Sequence, residues 1–151
     1  MNKPTPNCID DYGYVIQLGT RWSDNDLYGH VNNVVYYSYF DTVANRFLIE
    51  QAGLDIHQGQ MIGLVVDSGC SYFAPVAFPE RLRGALRVAH LGRSSVRYAI
   101  AIFRADDPIA VAQGHFVHVF VDRESRQSVA IPDLMRSALA RLLGRVDVSN
   151  Y

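Results

Sequence analysis

Cysteine is scarce: Cys8 and Cys70 are the only two in 151 residues. A disulfide framework needs more of them at closer spacing, so both read as free thiols, and a stapled secreted scaffold is excluded. Excess charge of one sign is also missing, with 14 Lys and Arg against 15 Asp and Glu for a net charge of -1. That excludes the bulk basic field expected of a nucleic-acid or anionic-membrane binder. No apolar run approaches the ~18 residues of a membrane span. No charged-then-apolar leader opens the chain, so a cytoplasmic address is the default expectation. Internal repeats and low-complexity tracts are absent. What remains is ordinary, 49% hydrophobic and 19% charged residues. Such a chain forms one domain and can bury a sizeable core.

Taken in order, residues 1–11 are polar, contain Pro4 and Pro6, and read as a loose lead-in. Tyr14 to Trp22 alternates, with β-branched and aromatic residues, and predicts a strand. Ser23 to His30 is rich in Asp, Asn and Gly and reads as an ordered loop. Asn32 or Asn33 then suits a helix cap. Val35, Tyr36, Tyr39, Phe40, Val43, Phe47 and Leu48 follow at three- and four-residue spacing, up to Gly53. This predicts a helix over about 33–52, apolar around much of its circumference and therefore buried. Strands are expected over 62–74, 81–91, about 96–102 and 109–121, with a terminal helix over about 132–144. In the second of these, Arg81, Arg83 and Arg87 alternate with Leu82, Leu86 and Val88, so one face should be wet. A strand, a long helix and then four consecutive strands indicate an α+β domain with an antiparallel sheet, its core spanning about 14–123.

The chemistry-bearing residues gather just before the long helix. Asp24, Asp26, Gly29, His30, Asn32 and Asn33 all fall within ten residues. A helix start offers unpaired N–H groups and partial positive charge, so a carboxylate beside it adjoins a place where an oxyanion can be held. Asp26 could act as base or nucleophile, or stabilise the loop. Asp24 fits a structural role, pairing with Arg21 or shaping the loop. His30 could orient Asp26, bind a carbonyl oxygen or simply pack. The set lacks the His-pair or Cys spacing of a zinc site, and no metal is expected.

The stretch RWSDNDLYGHVNNVVYYSYFD resembles the acyl-CoA thioesterases of the 4-hydroxybenzoyl-CoA thioesterase type. It is also similar to the D-x-x-x-H-V-N-N segment of acyl-carrier-protein thioesterases. CSYFAPVAFPERL and VAHLGRSSVRYAIAIF resemble the family's next strand, turn and hairpin. The resemblance covers most of residues 14–123. It implies the hotdog fold, five antiparallel strands wrapped around a central helix, with two subunits sharing their active sites. It carries Asp26 onto the catalytic carboxylate, Asn33 onto the amide that polarises the thioester carbonyl, and Gly29 onto the loop glycine. His30 falls on a histidine that the carrier-protein relatives use and the benzoyl-CoA type lacks. Tyr28 stands where those relatives have Asn, so their full triad does not transfer. Asp41 matches a position that contacts the acyl group.

The expected reaction is hydrolysis of an acyl-CoA. Coenzyme A enters as part of the substrate, and no separate cofactor is implied. Arg93 and Ser94 could read its phosphates or belong to a solvated strand face. Tyr72 and Phe73 read as core or pocket wall, with Tyr72 counted among the substrate-binding candidates. A carrier-protein thioesterase, a non-catalytic acyl-CoA binder and a hotdog dehydratase are the competing classes. Release of thiol from acyl-CoAs separates them. Open sheet edges tend to be paired, which predicts a homodimer, with a homotetramer as the next level of assembly.

Overall fold

The computed structural model describes residues 4–144. Strand β1 (Tyr14–Gly19) leads through a one-turn helix (Trp22–Asp24) to helix α1 (Asn33–Gln51). Then come β2 (Met61–Tyr72), β3 (Arg81–Leu91), β4 (Ser95–Arg104), β5 (Ala112–Asp122) and helix α2 (Asp133–Ala140). The five strands form one sheet in the order β1-β3-β4-β5-β2, antiparallel throughout. This is the hotdog architecture that the resemblance implies.

Placing β1 and β2 on opposite edges obliges α1 to cross the sheet. Four strand spacings span about 19 Å, and nineteen helical residues reach about 28 Å, so the helix covers the crossing. Asn32 is the cap: its side chain accepts from Val34 N–H at 3.3 Å. At the other end Ala52 N–H donates to Leu48 C=O. Phe40, Val43, Ala44 and Leu48 on α1 are fully buried, against Leu86, Tyr98, Ile100 and Ile102 of the sheet. Each large apolar side chain so buried contributes about 1.5–3 kcal/mol. A Cβ on Gly84 would overlap the Val43 side chain, so the glycine lets the helix sit close on β3. Only one stripe of α1 is buried, however. Val34, Asp41, Thr42, Arg46 and Ile49 face outward in the single chain, narrower burial than the composition suggests.

Residues 4–11 are not a loose lead-in. They form a strap across the convex face of the sheet. Ile9 N–H donates to Pro108 C=O at 2.8 Å and Ala110 N–H to Asn7 C=O at 2.9 Å. Gln113 Oε1 accepts from Asn7 N–H at 2.7 Å, while its amide donates to Thr5 C=O at 3.0 Å. Ile9 and Tyr12 pack over Ala85, Ala99, Ala101 and Phe103. The strap also dries the predicted wet face of β3. Arg87 is 2% exposed, its guanidinium lying 4.7 Å from the Tyr12 ring. The spacing within β3 could not reveal a cover supplied from so far away.

Within the core Tyr98 Oη and His118 Nδ1 lie 3.0 Å apart, and His118 is 2% exposed. Burial pushes the imidazole pKa down to about 4. The folded protein therefore keeps His118 neutral, while the unfolded chain takes up a proton below about pH 6.5. Stability is intact above that pH and falls as the pH drops toward 4. By pH 5 this group alone should remove about 2 kcal/mol. Urea titrations at pH 7 and pH 5 check it: His118→Gln should lose correspondingly less between the two. An equal loss in both proteins would exclude His118 as the cause.

Candidate active site

The segment between β1 and α1 is held by its own residues. Asp24 is 1% exposed. Its carboxylate accepts from Arg21 N–H at 2.8 Å, Arg21 Nε at 3.1 Å and Tyr39 Oη at 2.8 Å. Its C=O accepts from Asn32 N–H at 2.9 Å. Asp24 thus does both of the things that its structural reading offered as alternatives, pairing with Arg21 and shaping the loop. Tyr39 keeps its proton, its pKa raised by burial and then by the hydrogen bond to Asp24.

Asp26 opens a tight turn. Its N–H donates to His30 C=O at 2.8 Å, and Gly29 N–H returns to Asp26 C=O at 3.1 Å. Gly29 sits at φ +84°, the left-handed region that glycine enters at least cost. Asp26 Oδ1 accepts from Tyr28 N–H at 2.8 Å. One carboxylate oxygen is thus fixed by the backbone, which orients the other. Val31 N–H donates to Val76 C=O and Asn25 Oδ1 accepts from Phe78 N–H, tying this turn to the β2–β3 connection.

The first turn of α1 sorts its amides unequally. Val34 N–H goes to the Asn32 side chain and Val35 N–H to Asn32 C=O. Asn33 N–H has no acceptor among the described residues. Asn33 lines an open pocket of about 300 Å³ together with His30, Val31, Tyr36, Tyr72, Phe73, Ala74 and Pro75. The rings of Tyr36 and Tyr72 meet edge to face at 5.2 Å. Burial pushes the Tyr36 phenol up to about 12 and the Cys70 thiol up to about 11. Both stay protonated at neutral pH, so Cys70 offers no thiolate nucleophile here.

Of the residues singled out in the sequence, the structure brings His30, Asn33 and Tyr72 to one pocket, with Asp26 and Gly29 on the turn beside it. Asp41 lies elsewhere, about 12 Å along the helix from Asn33 by rise per residue. It sits on the outward side of α1, its Oδ1 accepting from Asn45 Nδ2 at 3.3 Å and its pKa raised by desolvation. Arg93 and Ser94 occupy the β3–β4 turn at the far end of the sheet. Their C=O groups accept from Ile131 N–H and Phe120 N–H. Strand β3 puts roughly 30 Å between that turn and the Asp26 end. Sequence reasoning gave Tyr36, Ala74 and Pro75 no part in a site. Tyr36 carries the helical spacing of a core residue, and Ala74 and Pro75 arrive only through the fold.

The family model of the thioesterase-like superfamily matches residues 20–139. The PA5185 protein of Pseudomonas aeruginosa strain PAO1 is 54% identical, with a TM-score of 0.92 over 94% of this chain and 99% of that one. The PA2801 protein of the same species is 30% identical, with a TM-score of 0.77 over 82% and 95% of the two chains. At 17% identity, Slr0204 of Synechocystis, a 1,4-dihydroxy-2-naphthoyl-CoA thioesterase, shares the fold with a TM-score of 0.77 over 85% and 96%. With a model match across most of its length, a hotdog sheet and a helix start facing an open pocket, the chain belongs to the thioesterase-like superfamily.

Proposed function

We propose that this thioester hydrolase acts on an acyl-CoA, with Asp26 as the reacting carboxylate and the Asn33 amide as oxyanion donor. The observation that carries the reading is that Asn33, whose N–H has no acceptor among the described residues, lines a pocket beside the turn that orients Asp26. A thioester carbonyl oxygen placed on that amide gains a fixed donor at the positive end of a helix. Asp26 either takes a proton from water or adds to the carbonyl carbon itself. Both routes break the C–S bond, deliver a water oxygen to the acid and return a proton to the departing CoA thiolate. His30, on the same pocket wall, supports the carboxylate or the carbonyl oxygen.

The single chain leaves the site half-walled. Strand β2 bonds only to β5 in the sheet, and Leu64 to Ser68 along it are exposed. Antiparallel pairing of two β2 edges across a two-fold axis would set one copy's Met61 end beside the other's Tyr72 end. Such a homodimer would carry the Arg93–Ser94 turn of the second copy toward the CoA phosphates, which a single chain cannot do. Pairing of dimers into a tetramer remains compatible with this arrangement.

Thiol release from a panel of aryl- and alkyl-CoAs, run beside sedimentation, tests the reading. Turnover of at least one acyl-CoA by a dimer or tetramer is the expected result. No thiol release from any member, or a stable monomer at micromolar concentration that turns over at full rate, would refute it. Faster release from acyl-carrier proteins than from CoA would instead favour the carrier-protein reading that the His30 motif suggests.

A further inference from the structure

We propose that Tyr72 is a positioning residue, fixing the first turn of α1 so that the Asn33 amide is held at one place in the pocket. The proposal rests on the acyl-CoA reading of the site and goes beyond it, since Tyr72 otherwise counts as pocket wall. Tyr72 is the last residue of β2, an edge strand. Its hydroxyl donates to Asn33 C=O at 3.1 Å, across 39 residues of sequence. The bond therefore ties the residue that carries the oxyanion amide to the sheet.

The other anchors of this helix start, Asn32 N–H to Asp24 C=O and Val31 N–H to Val76 C=O, act before Asn33. The Tyr72 bond acts on Asn33 itself. Burial first, and then Cys70 and Tyr37, hold the Tyr72 phenol pKa above its ordinary value, so the hydroxyl remains a donor. The ring is held separately, edge to face with Tyr36. Removal of the hydroxyl should therefore leave the wall standing while loosening the helix start. Reaction rates are sensitive to such loosening, because a misplacement of about 1 Å can cost about a hundredfold.

The test is Tyr72→Phe, with Asp26→Asn measured beside it. We expect kcat to fall about tenfold with KM within about twofold, a partial loss of the positioning effect. Amide exchange should quicken at Val34 and Val35, the hydrogen-bonded amides of the first turn, and stay unchanged in β3 and β4. A merely structural role would lower the melting temperature and leave kcat per folded molecule intact, and a substrate-binding role would raise KM. Either pattern, with amide exchange unchanged at the helix start, overturns the proposal. If Asp26→Asn is inactive while Tyr72→Phe has wild-type kcat, this inference fails and the acyl-CoA reading stands. If Asp26→Asn keeps wild-type activity, that reading fails, and exchange at Val34 and Val35 still decides whether Tyr72 fixes the helix start.

Discussion

Asp26→Asn should lower kcat by about a hundredfold or more, with KM changed much less. That is about 2.7 kcal/mol of lost transition-state stabilisation. The substitution is clean because the turn does not need the charge. Asparagine retains an Oδ1 that can accept from Tyr28 N–H, the contact now made at 2.8 Å. The backbone pairing of Asp26 with His30 and Gly29 involves no side chain. The fold should therefore survive with its melting temperature close to wild type, and the loss should fall on chemistry. A folded Asp26→Asn protein that hydrolyses its best acyl-CoA at the wild-type rate would remove Asp26 from the reaction. His30→Ala should lose less than Asp26→Asn if the imidazole only orients the carboxylate, and as much if it holds the oxyanion.

Asp24→Ala should show the opposite pattern. The Asp24 carboxylate is buried and accepts from Arg21 N–H, the Arg21 guanidinium and Tyr39 Oη. The Arg21 side chain is 71% exposed, so the ion pair itself is screened and contributes little. Most of the cost comes from the buried Tyr39 hydroxyl and, to a smaller degree, the half-buried Arg21 amide, which lose their acceptor. We expect a loss of about 3 kcal/mol and a melting temperature lower by about 6–12 °C. At temperatures where the variant is folded, kcat per folded molecule should stay within a few-fold of wild type. Unchanged stability with activity abolished would reverse the roles of the two acids.

Two carboxylates of the same type, two positions apart, thus stand in different settings, Asp24 buried among donors and Asp26 half-buried on the turn. Their residue types do not foretell that difference, which comes from burial and partners. The pattern alone marked α1 to within a residue at each end, because its cap and its apolar spacing are local signals. Strand β3 was legible to the residue, and β2, β4 and β5 to within about three, for the same reason. The strand order could not be read that way, since it depends on which edges find each other. The partners of Arg87 are also distant in sequence, and its alternation with leucines suggested a wet face where the strap lies. His30 and Asn33 line one pocket because they lie three residues apart where the loop meets the helix, a closeness the sequence already carries. The Tyr72–Asn33 bond crosses from the helix to the sheet edge, and nothing near Asn33 announces it.

The strap also sets an order of events during synthesis. Asn7 leaves the ribosome 106 residues ahead of Gln113, the side chain that receives its amide. At about 5–20 residues per second, the strap waits roughly 5–20 s for its seat. The small apolar face of β3 and β4, with Ala85, Ala99 and Ala101, emerges only late in that interval, just ahead of the Pro108 to Gln113 segment that pairs with the strap. The earliest part of the chain to be made is thus among the last to be placed. A nascent chain stalled before residue 108 would lack the Pro108, Ala110 and Gln113 partners that seat the strap over that face.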